Sequence, residues 1–573
     1  MVDYKRIKLF LKKVHVRKRK KLVYLLILSI VGAVSEVISI TAIIPFLSSL
    51  SNPELIFNLP VIGIKIQNLN FSNTDLFFYT TVFFIVTTLI AYSIRLTLLW
   101  YARKISFDLG SDIAIDAFKN TLKKTYGDFT RMDSSELINV LSVKVDRIIT
   151  TFILPTLEFI TSSLLMVGIV IFLLFYALYF SLLLFFVVLI VYLLMAKLAD
   201  KKLKKNSRHI SIGAKKIVQD SQDGFYGFRD IIYSNSINYF VKKYAVNDRR
   251  YRASQANNFF LNQSPRYIIE SVSIVTIAIA AYVFQKNSDG VFDIITVVGV
   301  VVLSLNRLLP LAQRIYATWS IKRGDSDSFS DVFELLNAPK NSKEFDGDSL
   351  KFDSEIELKK VSYRQDNKAD FIFQGISLKV QKKSIVGIVG ESGSGKSTLA
   401  NIISGLVLPS QGSVFVDNSK ITTKNVNNWM RSVYYLPQKI YMFNTTIKKN
   451  IATGLASKDI DEERVKLCCE IARISHDIEG LKYGYDSLIG DNGSKFSGGQ
   501  AQRMVIARAL YFNPDLLILD ESLSGVSLDV EDKILDNIIN HYKDITLIII
   551  SHRPKVLRRC THIIDVGNYT NKT

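Results

Sequence analysis

The stretch Ser384-Ile-Val-Gly-Ile-Val-Gly390-Glu-Ser392-Gly393-Ser394-Gly395-Lys396-Ser397-Thr398 decides the fold of the C-terminal part of this 573-residue chain. Its first half is a short apolar run of strand length, and its second half fits G-x-x-x-x-G-K-[ST] at every fixed position. Such a strand leading into such a loop and then a helix is a phosphate-binding loop. The glycines let backbone N–H groups wrap the phosphates, Lys396 supplies a point charge to the β- and γ-phosphates, and Ser397 is placed to ligate Mg²⁺ at the helix N-terminus. From Ile356 onward the pattern is strand, turn, strand, then strands alternating with helices. It predicts an α/β domain with a largely parallel sheet.

Working outward, Leu516-Leu-Ile-Leu-Asp520-Glu521 is a short apolar strand ending in two carboxylates. Asp520 is the candidate holder of the Mg²⁺ shell, and Glu521 the candidate general base for a water attacking the γ-phosphate. A second apolar strand, 546–550, ends in Ser551-His552, and a histidine at a strand's C-terminal end in such a sheet points into the ligand crevice. Between P-loop and carboxylates lies Phe496-Ser497-Gly498-Gly499-Gln500-Ala-Gln-Arg503, ahead of an apolar helix.

The N-terminal part is of another kind. Hydrophobic residues make up 48 % of the chain and its mean hydropathy is +0.20, which argues against a wholly soluble protein. Apolar runs long enough for about 30 Å of hydrocarbon occur near 22–50, 76–101, 153–176, 178–198, 264–285 and 291–316, which predicts six spans. Residues 159–196 carry no charge, and such a stretch at ~1.5 Å per residue is about twice a bilayer, so a turn is expected near 177–181. Lys+Arg exceed Asp+Glu by 72 − 52 = 20, and ten of the basic residues precede position 22, directly before the first apolar run. That placement holds the N-terminus in the cytosol and favours a membrane over a nucleic-acid partner. The first run is too long for a signal-peptide core and carries Glu36, so it is expected to remain in the mature protein.

An even number of spans returns the chain to the cytosol. Segments 102–152 and 199–263 are rich in Lys and Arg and read as inward helical continuations, with short elements at their tips near 126–137 and 223–235. Residues 1–321 form the transmembrane domain, the polar stretch 322–348 a linker, and 349–573 the nucleotide-binding domain. Three cysteines, Cys468, Cys469 and Cys560, are too few for a disulfide framework and are expected to be buried and reduced.

With these motifs in this order, the chain resembles the ATP-binding cassette (ABC) transporters over essentially its whole length, as an exporter-type half-transporter. The resemblance implies an all-α transmembrane domain with long cytosolic extensions fused to the cassette, and it adds roles. Residues 497–500 (Ser497, Gly498, Gly499, Gln500) match the signature, which contacts ATP bound to a partner cassette. Tyr363 matches the aromatic that stacks on adenine, Gln438 in Leu-Pro-Gln the Q-loop and a Mg²⁺ contact, and His552 the switch histidine. It also implies a homodimer, or a pair with a related half-transporter, whose two composite sites hydrolyse ATP with Mg²⁺. The elements near 126–137 and 223–235 become coupling helices. Two departures stand out. Phe496 replaces the usual Leu, and Ser522-Leu-Ser-Gly-Val-Ser-Leu-Asp529 is two residues longer than the family's Ala-Thr-Ser-Ala-Leu-Asp. The trailing strand and helix after Ile563-Ile-Asp-Val-Gly567 are also expected to be short or missing.

Cargo is read from ionisable residues inside the apolar runs, which are costly there and default to functional hypotheses. Arg95, Arg266 and Arg307 all fall near the cytoplasmic leaflet, where guanidinium forks suit a phosphate group. Equally, arginines near a helix end can snorkel to headgroups, and Arg266 can pair with Glu270 one turn along. The stretches Ser35-Glu36-Val-Ile-Ser-Ile-Thr-Ala-Ile-Ile-Pro45-Phe46, Ser264-Pro-Arg266-Tyr-Ile-Ile-Glu270 and Arg307-Leu-Leu-Pro310-Leu-Ala-Gln-Arg314, with Arg95, resemble the lipid-linked oligosaccharide flippases of the Campylobacter type. That resemblance implies that the arginines meet a polyprenyl pyrophosphate carried from the inner to the outer leaflet of a bacterial cytoplasmic membrane. The segment 52–65 is expected as a short interfacial helix touching the lipid tail, or as a cap on the bundle. A general exporter of lipid, peptide or drug and an ATP-gated regulator without cargo stand as the alternatives.

Overall fold

The computed structural model describes residues 16–51, 73–132, 134–176, 178–287, 291–324, 332–336, 349–364, 370–490, 493 and 495–569. The chain divides into two compact units, one of residues 1–123 and 132–339, the other of residues 124–131 and 340–573.

The first unit is helical. Its elements are α1 (Val16–Thr41), α2 (Ile43–Ser51), α3 (Asn73–Leu122), α5 (Leu154–Tyr176), α6 (Leu178–Tyr226), α7 (Phe228–Tyr233), α8 (Ile237–Asn287) and α9 (Val291–Gly324), while α4 (Tyr126–Thr130) belongs to the second unit. Helices α3, α6 and α8 have 50, 49 and 51 residues, so each is roughly 75 Å long at 1.5 Å per residue and far exceeds a bilayer's hydrocarbon. Their apolar parts continue without a break into the Lys/Arg-rich segments.

Among the described residues, four helical stretches are long and apolar enough to cross a membrane: Lys18–Leu50, Thr74–Leu122, Leu137–Tyr176 and Val298–Lys322. The runs near 178–198 and 264–285 lie on the continuous helices α6 and α8. Of the stretch 177–181 where a turn is expected, residues 178–181 belong to helix α6 and residue 177 lies outside the described residues. The expected interfacial segment 52–65, residues 288–290 and most of the linker 322–348 lie outside the described residues. Packing is driven by apolar faces. Ile40, Ile44, Ile169, Val300 and Leu311 form one buried cluster, and Ile105, Leu109, Ile149, Phe152, Val332 and Leu335 belong to another. Where α3 crosses Ile149, a Cβ on Gly110 would lie 2.1 Å from that side chain, so only glycine permits the approach.

The second unit carries two sheets. One is antiparallel in the order β2-β1-β4-β5, from β1 (Glu355–Tyr363), β2 (Phe373–Gln381), β4 (Gln411–Val416) and β5 (Ser419–Lys420). The other is parallel in the order β6-β7-β8-β3-β9, from β3 (Ile385–Val389), β6 (Val433–Leu436), β7 (Leu516–Asp520), β8 (Thr546–Ile550) and β9 (His562–Asp565). Strands β7 and β8 are buried at every residue, as their unbroken Leu and Ile runs require in a sheet covered on both faces. Residues 563–565 lie in the edge strand β9, paired to β3, and after Gly567 only residues 568 and 569 are among the described residues. Helix α10 (Lys396–Ile403) follows β3, α11 (Gly498–Tyr511) precedes β7, and α12 (Leu528–His541) follows it. Cys468 and Cys469 are buried and free; Cys560 is free and only half-buried, departing from the expectation that all three are buried.

Candidate nucleotide site

The parallel sheet brings four separate stretches to one edge. The P-loop leaves β3, Gln438 follows β6, Asp520 ends β7, and His552 follows β8. All four positions are C-terminal strand ends, where a parallel sheet opens its ligand crevice.

In the P-loop, Gly390, Gly393 and Gly395 have φ of 149°, 85° and 92°. A Cβ at Gly390 would meet the Ser394 hydroxyl at 2.7 Å, and one at Gly395 would lie 2.6 Å from Ile372. The loop is a cradle that side chains would fill. Gly395 is the N-cap of α10, so Lys396, Ser397 and Thr398 begin the helix and its free N–H groups face the loop. Lys396 donates to the carbonyls of Gly390 and Glu391, both at 2.9 Å, and Ser394 Oγ is buried with no hydrogen-bond partner among the described residues. A cation folded onto its own loop beside an orphaned hydroxyl suits a phosphate ligand. Tyr363 ends β1 opposite Phe373, and Phe373 borders Gly395, so the candidate adenine-stacking ring stands on the strand that flanks the cradle.

Asp520 is buried, and Tyr435 of β6 donates to its Oδ2 at 2.8 Å. Ser397 hydrogen-bonds the same phenol. Burial and the neighbouring Asp520 carboxylate raise the Tyr435 pKa above its ordinary value, so the phenol stays a donor. A hydroxyl and a carboxylate converging at a helix N-terminus form a donor set of hard oxygens, which fits Mg²⁺. Tyr435 escaped sequence reasoning. The only signal was its place directly before Leu436-Pro-Gln438 on a strand beside β7.

Glu521 has φ of 47°, a strained conformation for a non-glycine residue, and its N–H donates to Ile550 O at 3.1 Å. The sharp turn aims its carboxylate into the crevice. There Gln438 Nε2 donates to Oε2 at 2.7 Å, and His552 Nε2 lies 3.6 Å from Oε1. Gln438, matched to the Q-loop, and His552, matched to the switch histidine, thus flank the Glu521 carboxylate. The arrangement orients a carboxylate next to a phosphate cradle, which is the geometry needed to activate water.

The signature residues open α11. Ser497 is its N-cap in a reciprocal capping box, with Gln500 N donating to Ser497 Oγ at 3.3 Å and Ser497 N to Gln500 Oε1 at 2.9 Å. Gln500 is further fixed by Asp477 at 2.9 Å. A Cβ on Gly498 would meet nothing within 4 Å, so that helix end is open for a ligand.

In the helical unit, Arg95 and Arg307 converge on Glu36. Arg307 bonds the Glu36 carboxylate, donates to Ser39 Oγ at 3.0 Å and lies over the Tyr92 ring at 5.3 Å. Arg95 lies 3.6 Å from the other carboxylate oxygen. Arg307 and Glu36 are only 3 % and 4 % exposed at their side chains. Two guanidiniums on one carboxylate leave a net charge of +1, and Arg307 Nε has no partner among the described residues. Arg266 does not join them; it is half exposed and pairs with Glu270 at 2.7 Å, one turn along α8.

Known proteins match in the same two parts. Residues 21–308 match the family described as ABC transporter transmembrane region, and residues 373–524 the family described as ABC transporter. The chain belongs to the ABC transporter family. Among curated relatives, an ATP-dependent lipid A-core flippase from Ralstonia nicotianae is 24 % identical over 461 residues, covering 79 % of this chain and 76 % of that protein. The alpha-hemolysin translocation ATP-binding protein HlyB of Escherichia coli O157:H7 is 29 % identical over 309 residues, 53 % of this chain and 42 % of that protein. A lipid A-core flippase from Chromohalobacter salexigens is 32 % identical over 255 residues, 44 % of each chain. The chain thus spans less than half the length of some relatives that it matches. A solved bacterial Atm1-family ABC exporter with ATP bound has a TM-score of 0.76 at 19 % identity, covering 96 % of this chain and 94 % of its own, which shows the exporter fold.

Proposed function

We propose that the chain is an ATP-hydrolysing half-transporter that pairs with a second copy. Its helical unit has six membrane spans, and it moves a lipid-linked oligosaccharide on polyprenyl pyrophosphate from the inner to the outer leaflet of a bacterial cytoplasmic membrane. The N-terminus and the cassette face the cytosol. In each composite site, residues 390–398 cradle the phosphates of one ATP and Tyr363 stacks on its base. The partner's signature, residues 497–500, closes over it. Bound Mg²⁺ would be held by Ser397, Asp520 and Gln438 and would supply charge neutralisation for the phosphates. Glu521 takes the proton of the attacking water, with His552 and Gln438 holding its carboxylate in line. The helices α4 and α7 are the coupling helices that pass closure to the spans.

The observation that carries the cargo reading is the cluster of Glu36, Arg95 and Arg307. Buried charge in a span is costly, and here it is arranged with one excess guanidinium and an unmet N–H. That excess suits a pyrophosphate, with Arg266, exposed on α8, meeting the headgroup from a separate position.

The names of the relatives favour a second reading, a general exporter, because they include both lipid A-core flippases and an alpha-hemolysin translocation protein. The test is reconstitution in liposomes with measurement of ATP-dependent transfer of a polyprenyl-pyrophosphate oligosaccharide between leaflets, with Glu521→Gln as the hydrolysis-dead control. Transfer by the wild type that is absent from the control supports the flippase. ATP hydrolysis without transfer of that lipid removes the oligosaccharide assignment and leaves the exporter. Unchanged transfer in an Arg95→Gln, Arg307→Gln variant removes the role given to the arginines.

A further inference from the structure

Helix α8 carries Pro265 in its interior, directly before Arg266. A proline there has no N–H for the carbonyl four residues back, and its ring crowds that carbonyl, so Leu261 O loses its helical partner. Within a membrane-crossing bundle a freed carbonyl is tolerated where a neighbouring helix donates to it. Helix α9 supplies the donors. The Tyr316 hydroxyl donates to Leu261 O at 3.3 Å, and Gln313 Nε2, one turn earlier on α9, donates to Asn262 O at 2.6 Å. Tyr316 is buried, and its ring is packed by those of Tyr192 and Trp319, each 5.6 Å away between centroids. The phenol is therefore held at the kink.

These two bonds set a register. Leu261 pairs with Tyr316 and Asn262 with Gln313, so α8 and α9 run antiparallel at the tie. From Asn262 to Arg266 the chain climbs roughly 6 Å along α8, and from Gln313 back to Arg307 roughly 9 Å along α9, at 1.5 Å per residue. Both steps lead toward the same end of the bundle, so the two arginines stand within about 3 Å of one depth on helices that are bonded to each other. Packed helix axes lie about 8–10 Å apart, a span that two long guanidinium side chains can bridge from opposite sides. Two such groups match the two phosphoryl groups of one pyrophosphate, whereas a single phosphate is served by one of them.

We propose that Tyr316 and Gln313 are positioning residues which, by capping the carbonyls at the Pro265 kink, hold α8 on α9 so that Arg266 and Arg307 grip one pyrophosphate together. On the cargo reading given above, on which this rests, the tie makes the site selective for a lipid pyrophosphate over the lipid monophosphate. Neither Tyr316 nor Gln313 touches the headgroup; both act through the α8 backbone.

The test is equilibrium binding of radiolabelled polyprenyl pyrophosphate and polyprenyl monophosphate to the full chain in lipid nanodiscs. The wild type is expected to prefer the pyrophosphate by about tenfold or more. Tyr316→Phe weakens pyrophosphate binding roughly tenfold, the scale of one lost hydrogen bond, and leaves monophosphate binding within about twofold, so the preference falls toward 1. Gln313→Met moves it in the same direction and carries the test if Tyr316→Phe folds poorly. In a Pro265→Ala background residue 265 regains the N–H that bonds Leu261 O, so adding Tyr316→Phe there changes the pyrophosphate affinity by less than about twofold. A merely structural tie would lower the melting temperature and leave the preference between the two lipids where it was. An unchanged preference in Tyr316→Phe and Gln313→Met overturns the proposal. So does an equal loss on Tyr316→Phe with and without Pro265, since the hydroxyl would then act on the lipid directly. A wild type that binds both lipids equally overturns the proposal and leaves the cargo reading in place, whereas one that binds neither overturns the cargo reading itself.

Discussion

Replacing Glu36 by Gln tests the charge balance of the helical unit most directly. Arg307 is buried, and its partners are the Glu36 carboxylate, the Ser39 hydroxyl and the face of Tyr92. Removing one partner of a buried ion pair costs about 3–5 kcal/mol, because the other charge is left uncompensated. The Gln carbonyl still accepts one hydrogen bond from the guanidinium and so retains roughly 1 kcal/mol. Arg95, 22 % exposed and 3.6 Å away, adds no more than about 1 kcal/mol, the scale of a solvated pair. The net expectation is a destabilisation of roughly 2–4 kcal/mol. The double variant Glu36→Gln, Arg307→Gln removes both charges and is expected to recover most of that loss, since neutral groups at those positions can bond each other. The assay is thermal unfolding of wild type, both single variants and the double variant, at one protein concentration in one detergent. A lowered unfolding temperature for each single variant with recovery in the double variant is the signature of the pair. A double variant no more stable than Glu36→Gln alone would refute the reasoning, as would a single variant that unfolds like wild type.

Three further outcomes concern the cassette. Glu521→Gln removes the candidate base while keeping a side chain that Gln438 and His552 can still contact; phosphate release should fall by about 10²–10⁴-fold with ATP-analogue binding retained. Tyr435→Phe takes the donor from the buried Asp520 carboxylate and should destabilise the nucleotide-free protein by about 1.5–3 kcal/mol. Excess Mg²⁺ and ATP should shrink that deficit, because a metal then partners the carboxylate, and an equal deficit in melting temperature with and without MgATP would contradict the placement of the site. Gly395→Ala puts a methyl 2.6 Å from Ile372 at a φ of 92°, so filter-binding of ATP should be lost even where the variant remains folded.

The nucleotide site was legible in the amino-acid sequence because its parts are local. A strand, a glycine loop and a helix that follow one another in the chain need no distant partner to be recognised, and Asp520-Glu521 and His552 are each marked by the apolar strand directly before them. The long α3, α6 and α8 were likewise written in continuous segments with few breakers, Pro265 inside α8 among them. Only the tertiary structure brought Glu36 to Arg307, 271 positions away, Tyr435 to Asp520, and Arg553 to the loop after Glu521. It also left Arg266 with its own-helix neighbour Glu270 and apart from Arg95 and Arg307, which a shared depth along the membrane could not distinguish. The physical reason is that depth and periodicity describe each helix alone, whereas which faces of two helices meet is decided by the packing of the side chains between them.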